Sequence, residues 1–224
     1  MITEISRGQD GGFYSPVWGK IRVGGKDMEL RKAGVERARY LYEHYLVEDF
    51  PKNEVKPFSV IERSMREGHY EVIEGFEEGE LVGYAFTILL EEKDRLLDYL
   101  AVPKTKRGQG EGTLFLSKLV SHAYAGMNLF LEAEALSASK DEEEKKLRDR
   151  RISFYLRNGA KKTKVQVFFF GVLYDILVFT SLEEVSWEDK IREIYRQVVS
   201  HSNAWSGPAP IITSLPERPQ TVSS

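Results

Sequence analysis

Cysteine is absent from the 224 residues, which excludes disulfides, cysteine-ligated zinc and a thiol nucleophile together. Long apolar runs are missing as well: nothing approaches the ~18 apolar residues of a membrane-spanning helix, and the N-terminus has no basic patch leading into an apolar run. The expectation is a cytoplasmic protein with no membrane partner. Positive charge is not in excess, since 32 Lys and Arg stand against 35 Asp and Glu for a net charge of −3. The chain therefore lacks the basic footprint of a nucleic-acid binder. Its histidines, His44, His69, His122 and His201, stand at no metal-ligand spacing, and there is no G-x-S-x-G elbow. Neither a metal site nor a serine triad is expected.

What is present suits one globular domain, with 42% apolar and 30% charged residues. The stretch Ala101 to Gly112, "AVPKTKRGQGEG", sets glycine at 108, 110 and 112. It opens into a segment whose Leu116, Leu119, Val120, Ala123, Tyr124 and Met127 recur at helical spacing. Glycines at a helix mouth leave unpaired N–H groups free to close around an anion, and the helix dipole favours negative charge there. Lys104, Lys106 and Arg107 add positive charge beside them. The stretch is therefore suited to a phosphorylated ligand. The P-loop pattern occurs nowhere in the chain, and G-x-G-x-G does not meet the dinucleotide fingerprint G-x-G-x-x-G.

Patterning gives the order of elements. The first thirty residues are glycine-rich and read as a hairpin or a loosely packed leader. A helix follows from Val35 until Pro51 closes it, then another over about 57–66. The segments "HYEVIEGF", "ELVGYAFTILL" and "RLLDYLAV" are strands of an antiparallel meander, separated by "EEGE" and "EEKD". After the glycine-loop helix come the strand "NLFLEAEAL" and a charged helix ending at Gly159, placed as a C-cap. The pairs Glu142–Lys146 and Glu144–Arg148 mark that helix as a solvated face. Strands "KVQVFFF" and "VLYDILVF" join at Gly171, a helix covers about 182–199, and the Pro/Ser-rich remainder reads as an irregular or disordered tail.

Val102, Pro103, Arg107, Gly108, Gly110 and Gly112 match the pattern V-x-P-x-x-x-R-G-x-G-x-G, and "RISFYLRNGA" carries Phe154-Tyr155 followed by glycine. In both respects the chain resembles the GNAT family of N-acetyltransferases, over about residues 27–180. The resemblance implies an α/β (α+β) acyl-CoA acyltransferase fold with a mixed, mostly antiparallel sheet of six to seven strands flanked by helices. On this reading 1–26 is the leader, 27–200 the acetyltransferase domain and 201–224 the tail. It implies acetyl-CoA as co-substrate, with no metal. Arg107, Gly108, Gln109, Gly110, Gly112 and Thr113 would hold its pyrophosphate, and the backbone of Leu100, Ala101 and Val102 its pantetheine arm. Tyr155, matching the tyrosine of the family's Phe-Tyr pair, would protonate the departing sulfur. Glu111 departs from the family, where an apolar residue is usual. As a first-turn residue it favours the helix dipole.

Amide formation from a thioester needs a base, because an alkylamine of pKa ~10.4 is almost fully protonated at pH 7. Glu132 and Glu134 share one face of their strand, and carboxylates among leucine and phenylalanine suit a cleft. Both are candidates, with Asp98 a third. The resulting expectation is acetyl transfer from acetyl-CoA to a primary amine, on a small molecule or a peptide, by direct attack. Two alternatives stand beside it: a non-catalytic CoA-binding sensor or protein-interaction module on the same fold, and an acyltransferase with a larger donor. Monomer and homodimer are both open.

Overall fold

The computed structural model describes residues 15–23, 26–52, 54–91, 93–183, 185–201 and 209–215. Two strands, β1 (Ser15–Val23) and β2 (Lys26–Ala33), lead into α1 (Val35–Leu41), a π turn (Tyr42–Leu46) and the single turn α2 (Val47–Asp49). Next come α3 (Phe58–Arg66) and the strands β3 (Tyr70–Glu77), β4 (Glu80–Leu89) and β5 (Asp94–Ala101). A 3-10 turn (Lys104–Lys106) precedes α4 (Glu111–Lys118), which runs on into a second π turn (Leu119–Ala123). The remainder is β6 (Asn128–Glu134), α5 (Glu142–Arg157), β7 (Lys161–Phe169), β8 (Val172–Phe179), α6 (Trp187–His201) and β9 (Ile211–Ser214).

Local chemistry explains the reversals. Glu78 and Gly79 between β3 and β4, and Phe170 and Gly171 between β7 and β8, are consecutive residues with positive φ. That is the turn whose twist matches antiparallel strands. Helix α5 starts at Asp141, whose Oδ1 accepts the Glu144 N–H at 2.8 Å, while the Glu144 carboxylate accepts the Lys140 N–H at 2.7 Å. It ends at Gly159 (φ 96°), where the N–H of Ala160 reaches the carbonyl of Tyr155 and that of Gly159 the carbonyl of Leu156. This is the glycine-terminated helix end expected there.

The nine strands among the described residues form one sheet in the order β1-β2-β3-β4-β5-β6-β8-β7-β9. This corrects the expected six to seven strands. The N-terminal segment pairs as a full hairpin onto β3, and within the stretch read as a tail β9 pairs with β7. Residues 1–14 and 24–25 of the leader and 202–208 and 216–224 of the tail lie outside the described residues. Every pairing is antiparallel except β5 with β6, which is parallel. One face is covered by α1, α3 and α6 over a core that includes Leu41, Ile61, Phe86, Tyr99, Phe130, Ile191 and Tyr195. The other is covered by α4 and α5 over Leu30, Ala85, Phe115, Leu131, Ile152 and Leu177.

Two glycines seat α4 on the sheet. Gly75 and Gly83 face each other across β3 and β4. A Cβ built on either would stand 2.6 or 2.5 Å from the fully buried ring of Phe115. The ring lies directly on backbone, and only glycine leaves room for it.

Candidate active site

The site arises where the sheet comes apart. Parallel pairing between β5 and β6 runs from Asp94–Asn128 to Leu97–Leu131 and stops, although β5 continues to Ala101 and β6 to Glu134. Beyond that point β5 keeps β4 on one side, with Leu100 opposite Ala85 and Ala101 opposite Tyr84. Its other edge has no strand partner among the described residues. Main-chain donors and acceptors on such an edge are open to an extended ligand arm.

The glycine loop stands beyond the end of β5. Gly108 (φ 79°) and Gly110 (φ 86°) adopt the left-handed conformation, and nothing lies within 4 Å of where their Cβ atoms would be. Gly110 is the N-cap of α4 and offers no side-chain cap, so the first-turn N–H groups of Glu111, Gly112 and Thr113 are not capped by it. Gly112 serves packing instead: its Cβ would be 3.5 Å from Val102 and 3.6 Å from Phe154. That contact brings the glycine loop and the Phe154-Tyr155 pair together. Gln109 and Thr113 are exposed, and Glu111 is turned into the protein at 2% exposure.

The loop's cations are matched by carboxylates. Lys104 pairs with Glu48 at 3.4 Å, Lys106 with Glu80, and Arg107 Nη2 donates to Asp49 Oδ1 at 2.5 Å. The side-chain charge that the sequence places beside the glycines is thus engaged within the protein.

At the fork itself the register of β5 against β4 skips from Phe86–Tyr99 to Thr87–Leu97, which makes Asp98 a bulge residue. A bulge re-aims side chains. Asp98 and Tyr99 both face the α1/α3/α6 side, where Asp98 accepts two hydrogen bonds from Lys56 Nζ at 2.7 Å and one from Tyr70 Oη at 2.5 Å. Tyr99 accepts the Lys56 N–H at 3.0 Å and donates to the Glu54 carbonyl at 2.8 Å, fastening the segment after α2 across β5.

Glu132 is the first residue of β6 past the last rung, as Asp98 is on β5. Its Oε1 accepts the Tyr195 hydroxyl from α6. No described residue bonds its other oxygen. Burial pushes its carboxyl above the ordinary range; the Tyr195 hydrogen bond and Lys56 oppose the rise, and Asp98 adds to it. Glu134 is engaged differently, accepting Arg148 Nη2 at 3.1 Å and Arg151 Nη1 at 3.5 Å. Arg148 is buried and also donates to the Ala135 carbonyl at 2.8 Å and to Glu144 at 2.7 Å. The charged helix therefore sends one arginine inward, and Glu142 bonds Lys145 instead of Lys146. Tyr155 lies on the opposite face, against the α4/α5 core. Burial raises its pKa, with Arg151 opposing, and no described residue hydrogen-bonds its hydroxyl.

Of the residues singled out in the sequence, the fork brings together Leu100, Ala101, Val102, the glycine loop, Glu132 and Asp98, with Glu134 held to α5 by its arginines. Three were not legible: Lys56, Glu54 and Tyr195. Burial raises the Glu54 carboxyl, and the charge of Glu134 adds to the rise. Lys56 and Glu54 sit in an irregular segment between two prolines, and Tyr195 occupies an ordinary core position of an amphipathic helix.

The single sheet forks at its parallel seam, and the helix at the mouth of the fork starts on a glycine that offers no side-chain cap. Neither a family model nor a curated protein matches the chain. Solved structures do. A protein from Bacteroides thetaiotaomicron assigned to the GNAT acetyltransferases superposes with a TM-score of 0.61 at 19% identity, over 76% of this chain and 97% of the other. The ribosomal-protein-S18-alanine N-acetyltransferase from Escherichia coli gives a TM-score of 0.48 at 16% identity, over 71% and 99%. The fold is that of the GNAT acyl-CoA acyltransferases, as the two motifs implied. No helix among the described residues is long and apolar enough to cross a membrane, and no group of three or more His, Asp or Glu among them is placed to hold a metal ion.

Proposed function

We propose that the protein is an N-acetyltransferase that moves an acetyl group from acetyl-CoA to a primary amine of a small molecule or peptide by direct attack. The observation that carries this reading is the unpaired edge of β5 leading to the glycine-capped start of α4. Acetyl-CoA supplies the activated acetyl thioester. The chain supplies everything else. Main-chain groups of Leu100, Ala101 and Val102 pair with the pantetheine arm as a further strand would. First-turn N–H groups of α4 and the open backbone at Gly108 and Gly110 face the pyrophosphate. Gln109 and Thr113 flank it.

Glu132 is the base. Its free oxygen takes the proton that the amine nitrogen gives up as the C–N bond forms, and its raised pKa brings its basicity nearer to neutral pH. The Tyr195 hydroxyl fixes its orientation. Asp98 and Glu134 have their oxygens engaged by Lys56, Tyr70, Arg148 and Arg151, which favours Glu132 among the carboxylates. Tyr155 holds a proton at its hydroxyl for the sulfur as the C–S bond breaks, and recovers it from solvent. Burial keeps that hydroxyl protonated at neutral pH, as a donor must be.

Calorimetric titration with acetyl-CoA, followed by turnover against a panel of primary amines, tests the reading. Micromolar binding with release of free thiol is expected. Tyr155→Phe should lower kcat by about 10²-fold with coenzyme affinity unchanged. An unchanged kcat would remove Tyr155 as the acid, and binding without turnover on any amine would favour a CoA-binding module.

A further inference from the structure

Asp49 ends α2, its side chain is 4% exposed, and it belongs to neither strand of the fork. One oxygen accepts the Tyr84 hydroxyl at 2.7 Å and the other accepts Arg107 Nη2 at 2.5 Å. Taking a carboxylate out of water is costly, and a fold that only needed to satisfy Tyr84 would do so with a neutral acceptor. The second partner supplies the reason. Arg107 is 48% exposed; with a surface partner its long side chain would be loosely held, but a buried acceptor fixed by Tyr84 leaves it one position. From there its Nε donates to the carbonyl of Val102 at 2.9 Å. That carbonyl is the first group past β5, at the point where the free strand edge becomes the glycine loop.

We infer that Asp49 is a positioning residue that acts through Arg107 to hold the Val102 carbonyl and the loop 103–110 in the form that receives coenzyme A. The inference rests on the acetyl-CoA reading above for the identity of the ligand. It also gives Arg107 a part other than direct contact with phosphate. Lys104–Glu48 adds a second tie between the same helix end and the same loop. The wall formed by α1 and α2 and the coenzyme grip therefore move as one piece.

The test uses Asp49→Asn, which keeps size and hydrogen-bonding ability and removes the charge, beside Arg107→Gln and the double variant. Amide exchange is followed in the ligand-free protein, and coenzyme A is titrated by calorimetry. In Asp49→Asn, exchange over residues 102–112 should speed up about tenfold with β3 and β4 unchanged, and the Kd for coenzyme A should rise about tenfold, or ~1.4 kcal/mol. The double variant should lose no more than either single one, because both break the same link. A general loss of structure would instead accelerate exchange across the whole sheet. Unchanged loop exchange, unchanged or tighter binding in Asp49→Asn, or additive losses in the double variant would overturn the inference. Should Asp49→Asn fail to fold, Arg107→Gln must by itself reproduce the loosened loop, and a protected loop there would overturn the inference as well. Failure of coenzyme A to bind the unaltered protein would sink the functional reading, while loop exchange would still decide the role of Asp49.

Discussion

On the β3–β4 side of the sheet, two facing glycines receive the ring of Phe115, Leu30 and Ala85 pack around it, and the contact surface is apolar. On the β5–β6 side, a few residues away, Asp98 and Glu132 stand within a partly buried group of Lys56, Tyr70, Tyr99 and Tyr195. The first region is closed by shape, so its tolerance is set by volume. The second is held open by polar groups whose desolvation costs stability, so its tolerance is set by charge. Stability and chemistry should accordingly respond in opposite ways to substitutions in the two places.

The sharpest break between the regions is Glu132→Gln. On the proposal that Glu132 is the base, its loss should lower kcat by about 10²–10⁴-fold. Stability should move the other way. A carboxyl whose folded pKa is raised contributes stability fully below its unfolded value and loses it as pH rises through the folded one. At pH 7 its charge is a burden, so thermal melting of Glu132→Gln should show an equal or higher Tm. Lower kcat together with lower Tm would mean that Glu132 is chiefly a structural partner of Tyr195.

Gly83→Ala is the complement. The new methyl would stand 2.5 Å from the Phe115 ring, and overpacking of this kind costs about 1–3 kcal/mol. Tm should drop by roughly 3–10 °C with kcat of the folded fraction retained, and Phe115→Leu should recover part of the loss. An unperturbed Tm would show that the ring is free to shift.

The smallest expected effect concerns α6, which carries Tyr195 toward the fork and ends at His201. The His201 ring stacks on His69 at 3.9 Å between centroids and 12° between planes. Burial lowers its pKa first and His69 second, with Glu91 and Glu67 opposing. A histidine shifted this way contributes stability above its unfolded pKa of ~6.5 and loses it as pH falls through the folded value. Tm should fall as buffer is taken from pH 7.5 to 5.5, less so in His201→Gln. Identical pH profiles for the two proteins would rule the pair out.

Much of this architecture is written in short sequence signals. The positive-φ turns at Glu78-Gly79 and Phe170-Gly171, the terminating Gly159 and the glycine loop each follow from local backbone needs, and they appear where their residues stand. What depends on distant partners was hidden. Nothing near Gly75 or Gly83 announces a ring arriving from a helix much further along the chain. Arg148 looks like any member of a charged run until Glu134 and the Ala135 carbonyl draw it inward. The Asp98 bulge depends on β4, and the pairing of Arg107 with Asp49 depends on a helix end that lies far away in sequence. Strand β9 was unreadable for a related reason: its four residues lie in a Pro/Ser-rich stretch and gain strand character only from the exposed edge of β7.

The parallel seam between β5 and β6 also bears on how the chain assembles. In one half of the sheet, from β1 through β5, every strand pairs with its predecessor in sequence, by short turns except at β2–β3, where α1, α2 and α3 intervene. The far half is organised around the β7–β8 hairpin. Only the rungs from Asp94–Asn128 to Leu97–Leu131 join them directly, across a connection that must first wind through α4. Contacts between residues close in sequence form ahead of those that require long loop closure. By that measure the seam, whose partners stand 34 residues apart, closes ahead of the docking of the N-terminal hairpin on β3, whose partners stand 39 to 49 apart, so the two halves of the sheet meet before its outer edge is complete.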